Sequence, residues 1–79
     1  MLLIGSAGAK LLAKKLDNFE FNGVTFHVEK LEGLSLTVSH NAKDDKVAKA
    51  QIKEIVKTIP ELKNYFLGIQ IVDENGYLL

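Results

Sequence analysis

Two histidines and their neighbouring carboxylates are the residues of this chain best suited to catalytic chemistry. His27 is followed by Glu29, and Glu20 precedes it on the same predicted hairpin. A histidine beside a carboxylate can act as a general acid or base. The same alternation also describes the solvent-facing side of an ordinary antiparallel strand. No nucleophile motif accompanies the pair, so we expect no enzyme. A small hydrolase at His27 is the weakest of the alternatives.

A metal site is also disfavoured. His40 lies near Asp44 and Asp45, and Asp73 with Asn75 resembles a fragment of a calcium loop. A zinc site needs three or four ligands, and the remaining ligands of a calcium loop are missing. The two aspartates suit the start of a helix, where they meet the positive end of its dipole. We therefore expect no metal and no cofactor.

Gly5 and Gly8 follow an apolar run and precede a lysine-rich segment, which is the outline of a phosphate-binding turn. Their spacing satisfies neither the P-loop motif nor the dinucleotide fingerprint. The sequence therefore predicts no nucleotide site.

Four lysines form a stripe on the predicted central helix, with Asp45 and Glu54 expected to pair with Lys49 and Lys57. The chain has ten lysines, ten acidic residues and no arginine, so its net charge is zero. Arginine makes the better bidentate contacts with phosphate and guanine. This composition disfavours nucleic acid as a binding partner. Binding of nucleic acid or another anionic surface through the lysine stripe remains an alternative function.

Length and composition favour a single domain over residues 1–79. The apolar fraction is 47%, which is high for a chain that can bury only a small core. This surplus of apolar residues predicts either an extensive hydrophobic core or a buried oligomer interface. There is no cysteine, and the short apolar run at the start precedes its lysines, unlike a secretory signal. We expect a cytoplasmic protein.

Residues 1–16 form an apolar and basic segment that we predict to be partly helical and to form an interface. Drawn as a helix, Ile4, Leu11, Leu12 and Leu16 share a broad face. That face would pack on the domain or on a partner subunit. A membrane surface is the weaker alternative, because Lys15 interrupts the apolar face.

Asn22-Gly23 predicts a type I′ hairpin that pairs Phe19 with Phe26. A second turn at Leu31-Glu32-Gly33 predicts a three-residue loop with a bulge, which places Val28 opposite Leu36. The strands then alternate so that one face is apolar. The predicted buried residues are Phe19, Phe21, Val24, Phe26, Val28, Leu34, Leu36 and Val38.

The spacing of apolar residues predicts an amphipathic helix over residues 43–59, ended by Pro60. Its buried stripe comprises Ala48, Ile52, Ile55, Val56 and Ile59. A final hairpin follows, with a strand over residues 65–72, a turn over residues 73–76, and Leu78 opposite Ile71.

Together these patterns predict an α+β fold in the order α-β-β-β-α-β-β, with the helices on one face of an antiparallel sheet. We expect a small non-enzymatic protein–protein interaction or assembly module that self-associates, and no family resemblance is evident. The residues expected to meet a partner are the apolar Leu3, Ile4, Leu11, Leu12, Tyr77 and Leu79, and the basic Lys46, Lys49, Lys53 and Lys57.

Overall fold

The structure is a computed structural model that describes residues 1–75, 77 and 78. Within them the chain forms a small α+β domain with two α-helices and a five-stranded antiparallel sheet. Along the chain the elements are β1 (Leu2–Gly5), α1 (Ala9–Leu16), β2 (Phe19–Phe21), β3 (Val24–Glu32), β4 (Ser35–His40), α2 (Asp45–Lys57), a 3₁₀ turn (Pro60–Leu62) and β5 (Gly68–Ile71). The strand order is β2-β3-β4-β1-β5.

The chain begins with a strand, which corrects the prediction that it opens with a helix. β1 lies inside the sheet, where Ile4 pairs with Leu36 of β4 on one side and with Ile69 of β5 on the other. The predicted helical face would have needed Ile4 and Leu12 on one helix, but Gly5 ends the strand and α1 starts only at Ala9. Residues 1–16 are therefore a central part of the fold.

The first hairpin has the predicted register. Phe19 pairs with Phe26 and Phe21 with Val24. Asn22 and Gly23 have φ values of 51° and 82°, so both central residues of the turn occupy the left-handed region that a type I′ turn requires.

The second hairpin differs from the prediction. Its turn is Gly33-Leu34, because Glu32 pairs with Ser35, and a bulge lies between Val28 and Lys30. Continued without a bulge, this turn would place Val28 opposite Ser39 on the polar face. The extra residue in β3 brings Val28 opposite Val38 instead of the predicted Leu36.

Two residues of the predicted buried face are exposed. Leu34 is at the tip of the turn and is 66% exposed, and Phe19 on the edge strand is 38% exposed. Phe21 and Val28 are partly buried against the core, whereas Val24, Phe26, Leu36 and Val38 are buried as expected.

Helix α2 follows the prediction closely. The Asp44 carboxylate accepts a hydrogen bond from the Val47 amide at 2.9 Å and caps the helix. The predicted stripe is buried at Ala48, Ile52 and Ile55, and Val56 is partly buried. The helix ends at Lys57, and Pro60 begins the 3₁₀ turn that follows.

The buried side chains form one cluster, to which both helices and alternate residues of the strands contribute. The helices therefore cover one face of the sheet, and the other face is open. The most deeply buried members of the cluster are Leu2, Ile4, Ala9, Leu12, Leu16, Phe26, Leu36, Val38, Ala48 and Ile52.

The last strand is shorter than predicted, since β5 covers only Gly68–Ile71. Leu78 forms an isolated bridge with Val72, and the expected pairing of Leu78 with Ile71 is wrong. The predicted turn over residues 73–76 and the end of the chain fall partly on Gly76 and Leu79, which lie outside the described residues.

The central position of β1 gives a stability prediction. Ile4→Ala removes a fully buried side chain and should lower the free energy of unfolding by about 2–5 kcal/mol. Leu3→Ala, one residue away on the open face, should cost clearly less. Urea denaturation of both variants measures the difference, and equal losses would contradict the placement of β1.

Candidate interaction surfaces

The polar face of the sheet holds the residues for which a catalytic role was considered. Nδ1 of His27 lies 2.8 Å from the Asn18 side-chain oxygen. Oε2 of Glu29 accepts a hydrogen bond from the Ser39 hydroxyl at 2.6 Å. The histidine and the carboxylate thus have different partners. Hydrolytic chemistry at His27 gains no support from these contacts.

The loop between β1 and α1 uses its own backbone amides. The Ser6 amide donates to the Leu34 carbonyl at 2.8 Å, and the Gly8 amide donates to the Ser6 hydroxyl at 3.1 Å. The Ala9 amide donates to the Ser6 carbonyl. Amides that are already bonded within the protein are not free to bind a phosphate.

Asp45 forms the most connected polar cluster described. Its Oδ1 lies 2.9 Å from the Met1 ammonium and 2.7 Å from Nε2 of His40. The Ala42 amide donates to Nδ1 of His40 at 3.1 Å, so Nδ1 is the acceptor and Nε2 carries the proton that reaches Asp45. The predicted Asp45–Lys49 pair is therefore wrong. This cluster ties the start of α2 to β1 and β4.

The hydrogen bond from the Met1 ammonium holds the pKa of the Asp45 carboxyl below its usual range. Partial burial opposes this shift, and the hydrogen bond from His40 adds to it. Among the residues that the structure describes, no three His, Cys, Asp or Glu side chains are grouped so that they could hold a metal ion. The cluster joins the start of α2 to the beginning of the chain and to the end of β4 through hydrogen bonds to Asp45.

This cluster predicts an acid-dependent loss of stability. Asp45→Asn should lower the free energy of unfolding by about 1 kcal/mol at neutral pH. A carboxyl with a lowered pKa in the folded state contributes fully above its ordinary pKa, and this contribution is lost as the pH falls through the lowered pKa. The difference in the free energy of unfolding between wild type and Asp45→Asn should therefore become smaller in acid. Thermal unfolding of both proteins across a range of pH measures this difference.

Glu74→Gln is the control for that experiment, because it removes an exposed carboxylate from the turn after β5. It should leave the acid dependence of stability close to that of the wild type. A gap between wild type and Asp45→Asn that stays constant at every pH where both fold would contradict the assigned role of Asp45.

The predicted partner residues of the N-terminal segment divide into two groups. Ile4 and Leu12 are fully buried, so they are corrected to core residues that no partner can reach. Leu3 on the open face and Leu11 on α1 remain partly exposed. The apolar side of α1 that would have met a membrane packs in the core instead. No helix in the described part of the chain is long and apolar enough to cross a membrane.

The lysine stripe lies along α2. Lys46, Lys53 and Lys57 are exposed, and Lys49 is partly buried. Lys57 forms the predicted pair with Glu54, at 3.4 Å. Binding of an anionic partner by this stripe stays a prediction.

Four of the eight large hydrophobic side chains that are exposed in the described structure come shortly before or after β5 in the chain. Phe66 is 78% exposed, Tyr77 is 72% exposed and Leu78 is 65% exposed. The Phe66 ring lies over Gly68, 3.3 Å from the position that a β-carbon would occupy there. It borders a shallow groove of about 460 Å³ that also includes Leu3. The sequence analysis identified Tyr77 but missed Phe66, because it assigned residue 66 to the strand.

Fold and surfaces together define a small two-layer α+β domain with one open sheet face. Comparison of the chain with protein-family models, with curated proteins and with solved structures found no match.

Proposed function

We propose that the protein is a small non-catalytic interaction module that self-associates through the edge of β5 that faces away from β1, where no other described strand pairs with Gly68–Ile71. It would act in the cytoplasm, where a fold without cysteine needs no oxidising environment. The observation that carries the proposal is an uncharged edge strand flanked by exposed aromatic and aliphatic side chains.

The backbone of β5 supports pairing with another strand. Edge strands are commonly protected from such pairing by charged residues or proline. The sequence Gly-Ile-Gln-Ile of β5 contains neither. The strands at the opposite edge carry Glu20, Lys30 and Glu32 and a bulge. The two edges of the sheet thus differ in their suitability for pairing with a second copy.

The side chains around β5 support the same proposal. Tyr65, Phe66, Tyr77 and Leu78 are four of the large hydrophobic residues that are exposed in the described structure. Aromatic residues are enriched at interfaces and often dominate their binding energy. Phe66 over Gly68 and Leu78 beside Val72 would extend the contact beyond the backbone hydrogen bonds, whereas the Tyr65 ring lies against Gly8, just before α1.

A second copy fits this edge by symmetry. If two β5 strands pair antiparallel with Ile69 opposite Ile69, the paired positions always differ by an even number of residues. Such residues point to the same face of a strand, so every side chain stays on the face of the sheet that it already occupies. The sheets would join with all helices on one side, and the contact would be isologous, as in most dimers. Gln70 would lie opposite Gly68 of the other copy, beside the Phe66 ring that lies over that glycine.

Sedimentation velocity from micromolar to millimolar concentration tests the proposal. The wild type should approach twice the monomer mass of 8.7 kDa. Phe66→Ser and Gln70→Lys both change exposed positions, so the fold should persist, and each should raise the dimer dissociation constant by about tenfold or more.

Val47→Ser is the matched control, because Val47 is a 40% exposed apolar residue on α2, in the other layer. It should leave self-association unchanged. A wild type that stays monomeric at every concentration would overturn the proposal. So would a dimer that Val47→Ser weakens as much as Phe66→Ser does.

A further inference from the structure

The groove between α1 and the second half of β3 is a separate surface, remote from β5 along the sheet. It has a volume of about 810 Å³. Its lining is apolar at the base and charged at the rim, and comprises Lys10, Leu11, Ala13, Lys14, Asp17, Val28 and Leu31.

The groove exists because β2 is short. β2 covers β3 only as far as Phe26, which pairs with Phe19. Beyond that point no described strand pairs with the outer edge of β3, and the chain before β2 contacts this edge through a side chain. The Asp17 carboxylate accepts a hydrogen bond from the Val28 amide at 3.2 Å and so occupies the first free position of this edge.

Leu31, three residues after Val28, presents its backbone to the groove. Glu32 and Ser35 flank the two-residue turn as a hydrogen-bonded pair, so Leu31 and Leu36 form the next, non-hydrogen-bonded pair. The amide and carbonyl of Leu31 therefore point away from β4. The Leu31 side chain is 40% exposed beside the partly buried Leu11 and Val28.

The rim of the groove is positively charged. Lys10 and Lys14 stand one turn apart on α1, and both are exposed. Neither forms an ion pair with another described residue. Asp17 is the only acidic residue of the lining, and its carboxylate is engaged by Val28. The groove thus combines free cations, an apolar base and an available backbone pair.

We propose that this groove binds an extended, acidic peptide segment of a partner protein. The peptide adds alongside Leu31 by backbone hydrogen bonds, places an apolar side chain on Leu11 and Val28, and directs carboxylates to Lys10 and Lys14. A groove between an edge strand and a helix is a recurrent geometry for strand addition. An anionic membrane is the poorer occupant, because the apolar side of α1 is already buried in the core. The proposal does not depend on self-association at β5.

Fluorescence anisotropy tests this proposal with a labelled heptapeptide that has aspartate at its second and sixth positions, isoleucine at its fourth and serine elsewhere, so that all three groove-directed side chains share one face of the strand. The wild type should bind it saturably, and a peptide with lysine in place of aspartate should not bind. Lys10→Glu combined with Lys14→Glu should weaken binding by about tenfold or more, because attraction becomes repulsion. Lys15→Glu is the matched control, since Lys15 is an exposed lysine of the same helix outside the groove; it should bind within about twofold of the wild type.

Amide chemical shifts in the same titration locate the peptide. Leu31, Val28 and Asp17 should respond, and Ile69 and Gln70 should not. Absence of binding, shifts confined to β5, or equal weakening by Lys15→Glu would each overturn the proposal. So would binding to mixed phosphatidylcholine–phosphatidylserine vesicles without any response to the acidic peptide.

Discussion

The pairing of β1 on both of its edges is the constraint on which the rest of the structure depends. Leu2 and Ile4 are fully buried, and their strand joins the β2–β4 meander to β5. These pairings connect the first residues of the chain with segments thirty or more positions away in β4 and more than sixty positions away in β5. If β1 were removed, strands β4 and β5 would lose the neighbour that they share. The core under both helices would then lose its centre. The Met1–Asp45 contact fastens the same strand to the start of α2.

The features that sequence analysis predicted correctly are those that neighbouring residues determine. Asn22-Gly23 specifies its own turn, and that turn fixes the pairing of Phe19 with Phe26. The stripe on α2 follows from a helical period that needs no knowledge of the partner surface. In both cases local backbone preference and hydrophobic pattern agree, which is the condition under which a short segment determines its own structure.

The features that could not be predicted arise from competition between local and distant contacts. Gly33-Leu34 forms the second turn, and the bulge before Lys30 then restores Val28 to the buried face. Glycine at residue 33 is compatible with either loop, so its position alone does not choose between them. The four apolar residues at the start of the chain equally fit a helix or a strand, and only the free edges of β4 and β5 decide the outcome. The exposure of Phe66 could not be predicted either, because it depends on where β5 begins. That boundary is set by the pairing of β5 with β1.

The open face of the sheet explains where the apolar surplus of the composition lies. A two-layer domain of this size leaves one sheet face to solvent. Ser35, Thr37 and Gln70 occupy that face, together with the partly buried Leu3 and with glycines at the ends of β1 and β5. The outer side of α2 carries lysines. Exposed apolar side chains therefore concentrate elsewhere, on the segment that contains β5 and at the turn and groove beside β3. Because the first site is uncharged and the second is rimmed by lysines, the two edges of one sheet favour chemically different partners: a copy of the same strand at β5, and an acidic segment at β3.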